Sequence, residues 1–371
     1  MLEGLLRLPS PRGLDKRLIL LYIMTMNKKI IFFVCLIVLV SAVASPASKL
    51  FESGDILNLT LEYNVKEFAK DRGDSRSYHP AKLSYVDSTG STVSLDVRIK
   101  TRGKLRRQFL KCQVPPYKMK FNKTQTKGTI FEKQKTIKLV THCKKIPKYF
   151  QNYCLQEYLV YKMYNLLTEK SFRVRLAEIT YVDAEKKDKS FINHAFFIES
   201  YKKMAKRNQG KTTKVESIKL HEADFATSAL VSVFQYMIGN TDWSIRSGHN
   251  IEWITIGDSK KYYPIPFDFD LSGLIDADYA RPAPELAIKS VRERLYRGFC
   301  KSMGQFNRTF VIFHRHKEGI YSLFRDFPLL PDKLKTRTLK YLDQFYKIIL
   351  SPKLVKRYFI DNYRGRPFPK R

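Results

Sequence analysis

A chain of 371 residues can bury a full core, and its length suggests one large domain or two lobes. The formal net charge of +33 favours anionic partners such as phosphorylated glycolipid, acidic polysaccharide, nucleic acid or anionic membrane, or else a well-solvated surface. No segment has the spacing of a zinc finger, helix-turn-helix or RNA-recognition motif, so nucleic acid is not the expected partner.

The first 44 residues read as a leader. Asn27-Lys28-Lys29 is a positive n-region, Ile30–Val40 is an unbroken apolar run, and Ala42-Val43-Ala44 offers small residues for cleavage before Ser45. The run is too short to span a bilayer comfortably. Met24 or Met26 is a natural start, which would make residues 1–25 an over-extension. Cleavage removes six basic and two acidic residues and leaves a net charge of +29. No second hydrophobic segment of spanning length follows. The expected product is an exported, soluble protein of the periplasm or the extracellular space, with no transmembrane segment in the mature chain.

Residues 45–200 read mostly as antiparallel β structure. Leu57–Tyr63 alternates apolar and polar positions, Val65–Asp71 is briefly helical, and Ala81–Val86 with Val93–Lys100 forms a hairpin across Asp87–Gly90. Tyr117–Phe121 and Thr136–Thr141 are short strands. Tyr149–Leu167 has the apolar spacing of an amphipathic helix, and Arg173–Asp183 with Ser190–Ser200 makes another hairpin. Residues 201–371 read as mainly helical: Glu222–Ile238 with a start at Asp224, then Glu285–Tyr296, Gln305–His316, Asp332–Ile349 and Leu354–Tyr363. The expected fold is α+β and two-lobed, like a protein kinase, with a β-rich N-lobe carrying one helix, a helical C-lobe and a cleft between them.

Four cysteines follow the leader: Cys112, Cys143, Cys154 and Cys300. They allow three disulfide pairings, or buried free thiols. Cys112–Cys143 is reachable if the strands next to these residues are antiparallel neighbours.

The densest chemistry lies in residues 239–270. Strands at about His249–Ile256 and Lys261–Phe267, joined at Gly257-Asp258-Ser259, would bring Asn250 beside Asp268, with Asp270 close by and Asp242 on the preceding loop. An oxygen-rich, incomplete cage of this kind suits Mg²⁺ or Mn²⁺, which keep positions for water and phosphate. Asp268 and Asp270, two residues apart, would share one side of an extended chain and repel unless a cation lies between them. Local capping and salt bridges to the abundant Lys and Arg are the structural alternatives.

Asn240-Thr241-Asp242-Trp243, His249-Asn250-Ile251 and Pro264–Asp270 resemble the corresponding segments of CotH-type secreted atypical kinases. Arg98–Gly103, Tyr117–Phe121 and Phe196–Glu199 are similar to that family's Arg-Gly loop, Lys-bearing strand and strand ending in Glu. The chain as a whole also looks like exported proteins of Bacteroidota-type bacteria. Two departures stand out: the additional residues Ser244–Gly248, and Lys104-Leu105-Arg106 where the family often has Ser after the Arg-Gly turn.

The resemblance implies transfer of phosphate from ATP, with a divalent metal, to Ser/Thr of exported proteins or to surface glycan hydroxyls. Asp242 would be the base, and Asn250, Asp268 and Asp270 the metal ligands, Asp268 foremost. Lys120, then Lys118, would hold phosphate, with Lys138 as an outside candidate. Glu157 would pair with that lysine, and Arg102 and Gly103 would approach the phosphates. From a different functional class, a non-catalytic cationic module would bind anionic envelope polymers.

Overall fold

The computed structural model describes residues 48–144, 149–186, 189–215, 217–299 and 302–361. The expected leader and Cys300 lie outside them. Seven strands form the largest sheet: β1 (Leu57–Tyr63), β2 (His79–Val86), β3 (Thr92–Thr101), β4 (Tyr117–Phe121), β5 (Thr136–Val140), β6 (Val174–Asp183) and β7 (Ser190–Ile198). They close a barrel in the order β1-β2-β3-β4-β5-β7-β6. Closure comes from parallel pairing of β1 with β6, from Leu57 opposite Ala177 to Tyr63 opposite Asp183.

This closure overturns the expected two-lobed kinase-like fold with a β-rich N-lobe carrying one helix and a helical C-lobe. Alternation along each strand reads locally, but the β1–β6 pairing joins residues more than 100 positions apart and leaves no periodic trace. A closed sheet has no edge to protect and encloses its own core. Here Leu61, Leu83, Ile99, Met119 and Leu139 fill the interior, with Phe68 from α1 (Val65–Lys70) and Phe131 from the β4–β5 connection. On β4, Tyr117, Met119 and Phe121 point inward, while Lys118 and Lys120 point outward.

A second core lies outside the barrel. Val140, Phe196 and Ile198 face away from the interior and meet α2 (Phe150–Leu167). The same core takes in α4 (Phe225–Ile238), which follows α3 (Tyr201–Arg207), together with α5 (Met303–Arg315), α6 (Lys317–Arg325) and α7 (Asp332–Ile349). Helix α4 is apolar and buried around most of its circumference. Its Asp224 cap accepts from Thr227 N at 2.8 Å, and Gly239 ends it in the left-handed conformation, φ 66°. A three-stranded sheet in the order β10-β9-β8 adjoins it, formed by β8 (Gly210–Thr213), β9 (Ile251–Ile256) and β10 (Tyr263–Pro266).

Two expected helices differ. Residues 285–296 are irregular, because Arg292 and Arg294 donate to the backbone oxygens of Gly273, Met237 and Tyr341 and hold the segment by side-chain contacts. The last expected helix divides into α8 (Pro352–Val355) and a π-turn at Lys356–Asp361. Among the described residues, no helix is long and apolar enough to cross a membrane.

Candidate functional site

The end of α4 positions Asp242. Asn240, buried beneath the loop, donates to Gln235 Oε1 at 3.0 Å and accepts from Asp242 N at 2.9 Å. Its carbonyl accepts from Trp243 Nε1 at 3.0 Å. The extra residues Ser244–Gly248 are absorbed in a small closed turn, with Ser244 N donating to His249 O at 2.9 Å. Gly248 supplies the left-handed step at φ 65°. The turn returns the chain to Asp242, so His249 Nε2 lies 2.8 Å from Asp242 Oδ1 and Asn250 Nδ2 donates to Asp242 Oδ2 at 2.9 Å.

The β9–β10 ladder then sets Asn250 against the start of the acidic segment. Phe267 N donates to Asn250 O at 3.2 Å, which places Asp268 just beyond. Asn250 and Asp268 both have left-handed backbone, φ 52° and 64°. Asn and Asp tolerate this region better than other non-glycine residues, but the conformation persists only where surrounding structure holds it. At Asn250 the amide nitrogen is engaged twice by Asp242, at 2.7 and 2.9 Å, which turns Oδ1 away as an available acceptor. At Asp268 the backbone N–H donates to Tyr161 OH at 2.9 Å. The next residue, Phe269, anchors the bend in the core, 4.7 Å from the Tyr161 ring centroid.

The Asp268 carboxylate opens toward solvent, and no protein hydrogen bond to it is seen among the described residues. Although the residue is exposed, desolvation by the protein packed around it raises its pKa, the Asp270 carboxylate adds to the rise, and Arg102 and Arg106 oppose it. Asp270 is held differently. Its Oδ2 accepts from Arg106 Nε at 3.2 Å and from Tyr279 OH at 3.2 Å, and lies 3.0 Å from Arg106 Nη2. The bend at Asp268 removes the extended geometry expected for Asp268 and Asp270. Asp270 therefore lies in a buried ion network, with its Oδ2 already met by three donor contacts.

Arg106 also bonds Glu157 on α2, Nη2 to Oε2 at 2.8 Å. Glu157 pairs with this arginine and not with a lysine of β4. Burial raises the Glu157 pKa, Arg106 opposes the rise, and Asp270 and Asp268 add to it. Arg106 belongs to the Lys104-Leu105-Arg106 departure and follows the turn at Gly103, whose φ of 76° favours glycine. The turn is fixed by Arg102 N to Pro116 O at 2.8 Å and Arg107 N to Gly103 O at 3.0 Å.

The lysines separate by position along the outer barrel face. Lys138 lies directly opposite Lys118 across β4–β5, and its ammonium is 5.3 Å from the Phe267 ring centroid, next to Asp268 in sequence. Burial pushes its pKa down to about 8, helped by Arg102 and Lys118 and resisted by Glu252 and Asp268. Lys120 is two residues further along β4, opposite Arg98 and with its ammonium 5.8 Å from the Tyr78 ring centroid. Lys138 is thus placed beside the acidic segment, where the sequence reading favours Lys120. The signal for it was topological: β5 immediately precedes the helix carrying Glu157. Arg106, Tyr279 and the loop-supporting Asn240 carry no motif of their own in the sequence, and only the departure at 104–106 points toward Arg106.

Cys112 and Cys143 are disulfide-bonded and close the segment beside Arg106, where Cys112 N donates to Arg106 O at 3.0 Å. Cys154 is a buried free thiol. Among the described residues, no group of three or more His, Cys, Asp or Glu is arranged to hold a metal alone.

No protein-family model matches the chain, and no curated protein matches it. Among solved structures it is similar to a Helicobacter pylori proinflammatory kinase, CtkA, at 12% sequence identity and a TM-score of 0.36, over 66% of this chain and 88% of that one. At that TM-score the likeness carries no weight for fold or function, and the chemistry of the site stands on its own side chains.

Proposed function

We propose that the chain is an exported atypical kinase of the CotH type, transferring phosphate from ATP to Ser/Thr of an exported protein or to a surface glycan hydroxyl. The observation that carries the reading is the pairing of Asn250 and Asp268. The β9–β10 ladder brings these two left-handed residues near each other, and among the described residues neither the Asn250 amide oxygen nor the Asp268 carboxylate has a hydrogen-bond partner. Two such oxygens fit Mg²⁺ or Mn²⁺, which are commonly held by one or two carboxylates with the remaining positions filled by phosphate and water. When bound, the cation would neutralise charge on the transferring phosphoryl group.

Lys138, with Lys118 opposite it and Arg102 nearby, would hold phosphate oxygens. Asp242, its carboxylate oriented by Asn250 and His249, would accept the proton of the acceptor hydroxyl. Arg106 would keep Glu157 and Asp270 in place behind these groups. The Cys112–Cys143 disulfide accords with an oxidising, exported location.

The competing reading is a non-catalytic cationic module that binds anionic envelope polymers. It is favoured by the engagement of both Asp242 oxygens and of Asp270 Oδ2 within the protein. Incubating the mature chain with ATP and Mn²⁺ and weighing it intact separates the two. Added phosphate that disappears in Asp242→Asn and Asp268→Ala supports the kinase. Absence of phosphate from the wild type and from any hydroxyl-bearing acceptor supports the binding module.

A further inference from the structure

A second cluster of cations occupies the outer barrel face beyond Lys118 and Lys138. Arg98 lies directly opposite Lys120, and Lys100 directly opposite Lys118. Like charges facing across a ladder destabilise a sheet unless something else compensates. Around the single ring of Tyr78 stand Lys100 Nζ at 5.4 Å, Lys120 Nζ at 5.8 Å and Arg98 Cζ at 5.9 Å. The ring's negative face attracts each of them but cannot offset three mutually repelling charges.

The acidic residues of this face, Glu62 and Asp96, lie one outward row along the strands from Arg98, opposite Lys82. Asp96 accepts from Gln125 Nε2 at 3.0 Å, and Glu62 lies opposite Lys82 across β1–β2. Among the described residues, no carboxylate forms an ion pair with Arg98, Lys100 or Lys120. Arg98 and Lys120 also border a groove of about 880 Å³ whose lining includes Pro80, Lys82 and Lys123, with Glu62 and Asp96 along the same stretch. Three cations spaced along two neighbouring strands on the outer face, beside the exposed Pro80, suit a sugar chain that carries acidic groups. Nucleic acid is the poorer fit, since bases need open aromatic faces to stack on, and Tyr78 is occupied by the three cations.

We propose that Arg98, Lys100, Lys120 and Tyr78, with the adjoining groove, form a binding site for an acidic polysaccharide, separate from the phosphoryl-transfer residues. The site does not depend on the kinase reading, because it uses neither Asp242, Asn250, Asp268 nor Lys138.

The test measures binding of a fluorescent heparin-derived oligosaccharide and a polygalacturonate oligomer at physiological ionic strength. The comparison is between wild type, Arg98→Gln/Lys100→Gln/Lys120→Gln, and the control Lys333→Gln/Lys340→Gln/Lys347→Gln on exposed positions of α7. Both variants lose the same charge. The expected result is saturable binding by the wild type, weakened about tenfold or more in the barrel-face variant and less than about twofold in the control. Equal weakening in both variants would overturn the proposal in favour of diffuse charge attraction. So would no saturable wild-type binding to either oligomer, or tighter binding of single-stranded DNA of matched charge. Thermal stabilisation by Mg-ATP, measured on Arg98→Gln/Lys100→Gln, which leaves Lys120 in place, keeps the two readings distinguishable: this variant should retain whatever response the wild type shows.

Discussion

Arg106 Nη2 lies 2.8 Å from Glu157 Oε2, joining the loop after β3 to the middle of α2 across 51 residues of sequence. The same guanidinium grips Asp270, and Asp268 is close enough to act on it electrostatically. One buried cation thus serves three carboxylates. Desolvation raises the Asp268 pKa, the Asp270 carboxylate adds to the rise against Arg102 and Arg106, and an incoming cation would oppose both effects.

Breaking this pair from one side should be costly. Arg106→Met leaves Glu157 buried beside Asp270 without its counter-ion, and a loss of about 3–5 kcal/mol is expected in urea unfolding. Combining it with Glu157→Leu should recover part of that loss, because both desolvated charges are then gone. A single variant as stable as the wild type would show that the network contributes little.

The disulfide should support the same corner. Cys112 and Cys143 are 31 residues apart, and Cys112 N is bonded to Arg106 O. Cys112→Ser/Cys143→Ser should lower stability by about 2–4 kcal/mol, and reductant should lower the wild-type melting temperature but not that of the variant. Equal sensitivity to reductant in both would contradict this.

Lys138 gives a pH signature. Its folded pKa is near 8, below the ordinary lysine value of 10.5. Between those limits the unfolded chain holds more protons at this position than the folded one, so the contribution of Lys138 to stability rises with pH. Below about pH 8 its burial cost is fully present. Lys138→Met should remove this increment and raise stability at neutral pH. Competitive acylation followed by peptide mass spectrometry should find Lys138 reacting near pH 8, ahead of ordinary surface lysines. Labelling at the same pH as those lysines would refute the shift.

Gly273 sits where the chain after Asp270 passes beneath the irregular segment. A Cβ there would collide with the Val291 carbonyl and the Tyr341 hydroxyl. Gly273→Ala should destabilise by about 1–3 kcal/mol through overpacking, visible in the melting temperature. Gly304→Ala, where a Cβ meets nothing within 4 Å, should not.

Local structure was largely legible in the sequence. β1 and β4 occupy the expected residues, α7 has the expected bounds, and α4 starts at its Asp224 cap, because alternation, helical spacing and capping are short-range signals. The β9–β10 hairpin was legible too, since Gly257–Ser259 announces the turn that sets Asn250 near Asp268. Barrel closure was not, because the β1–β6 register is a relation between distant strands. The roles of Arg106 and Lys138 were hidden for the same reason. An arginine in a basic loop and one lysine among many acquire meaning only when folding sets them against Glu157 and Asp268.

The most direct test of Asn250 and Asp268 as a nucleotide–metal site is the melting temperature of the mature protein, titrated with ATP plus Mg²⁺ or Mn²⁺, in wild type and Asp268→Ala. A ligand bound only by the folded state at about 100 times its Kd stabilises by about 2.7 kcal/mol, a shift of a few degrees. The expected result is a metal-dependent rise in the wild type that is lost in Asp268→Ala. No rise at any nucleotide or metal concentration, or an equal rise in Asp268→Ala, would contradict it.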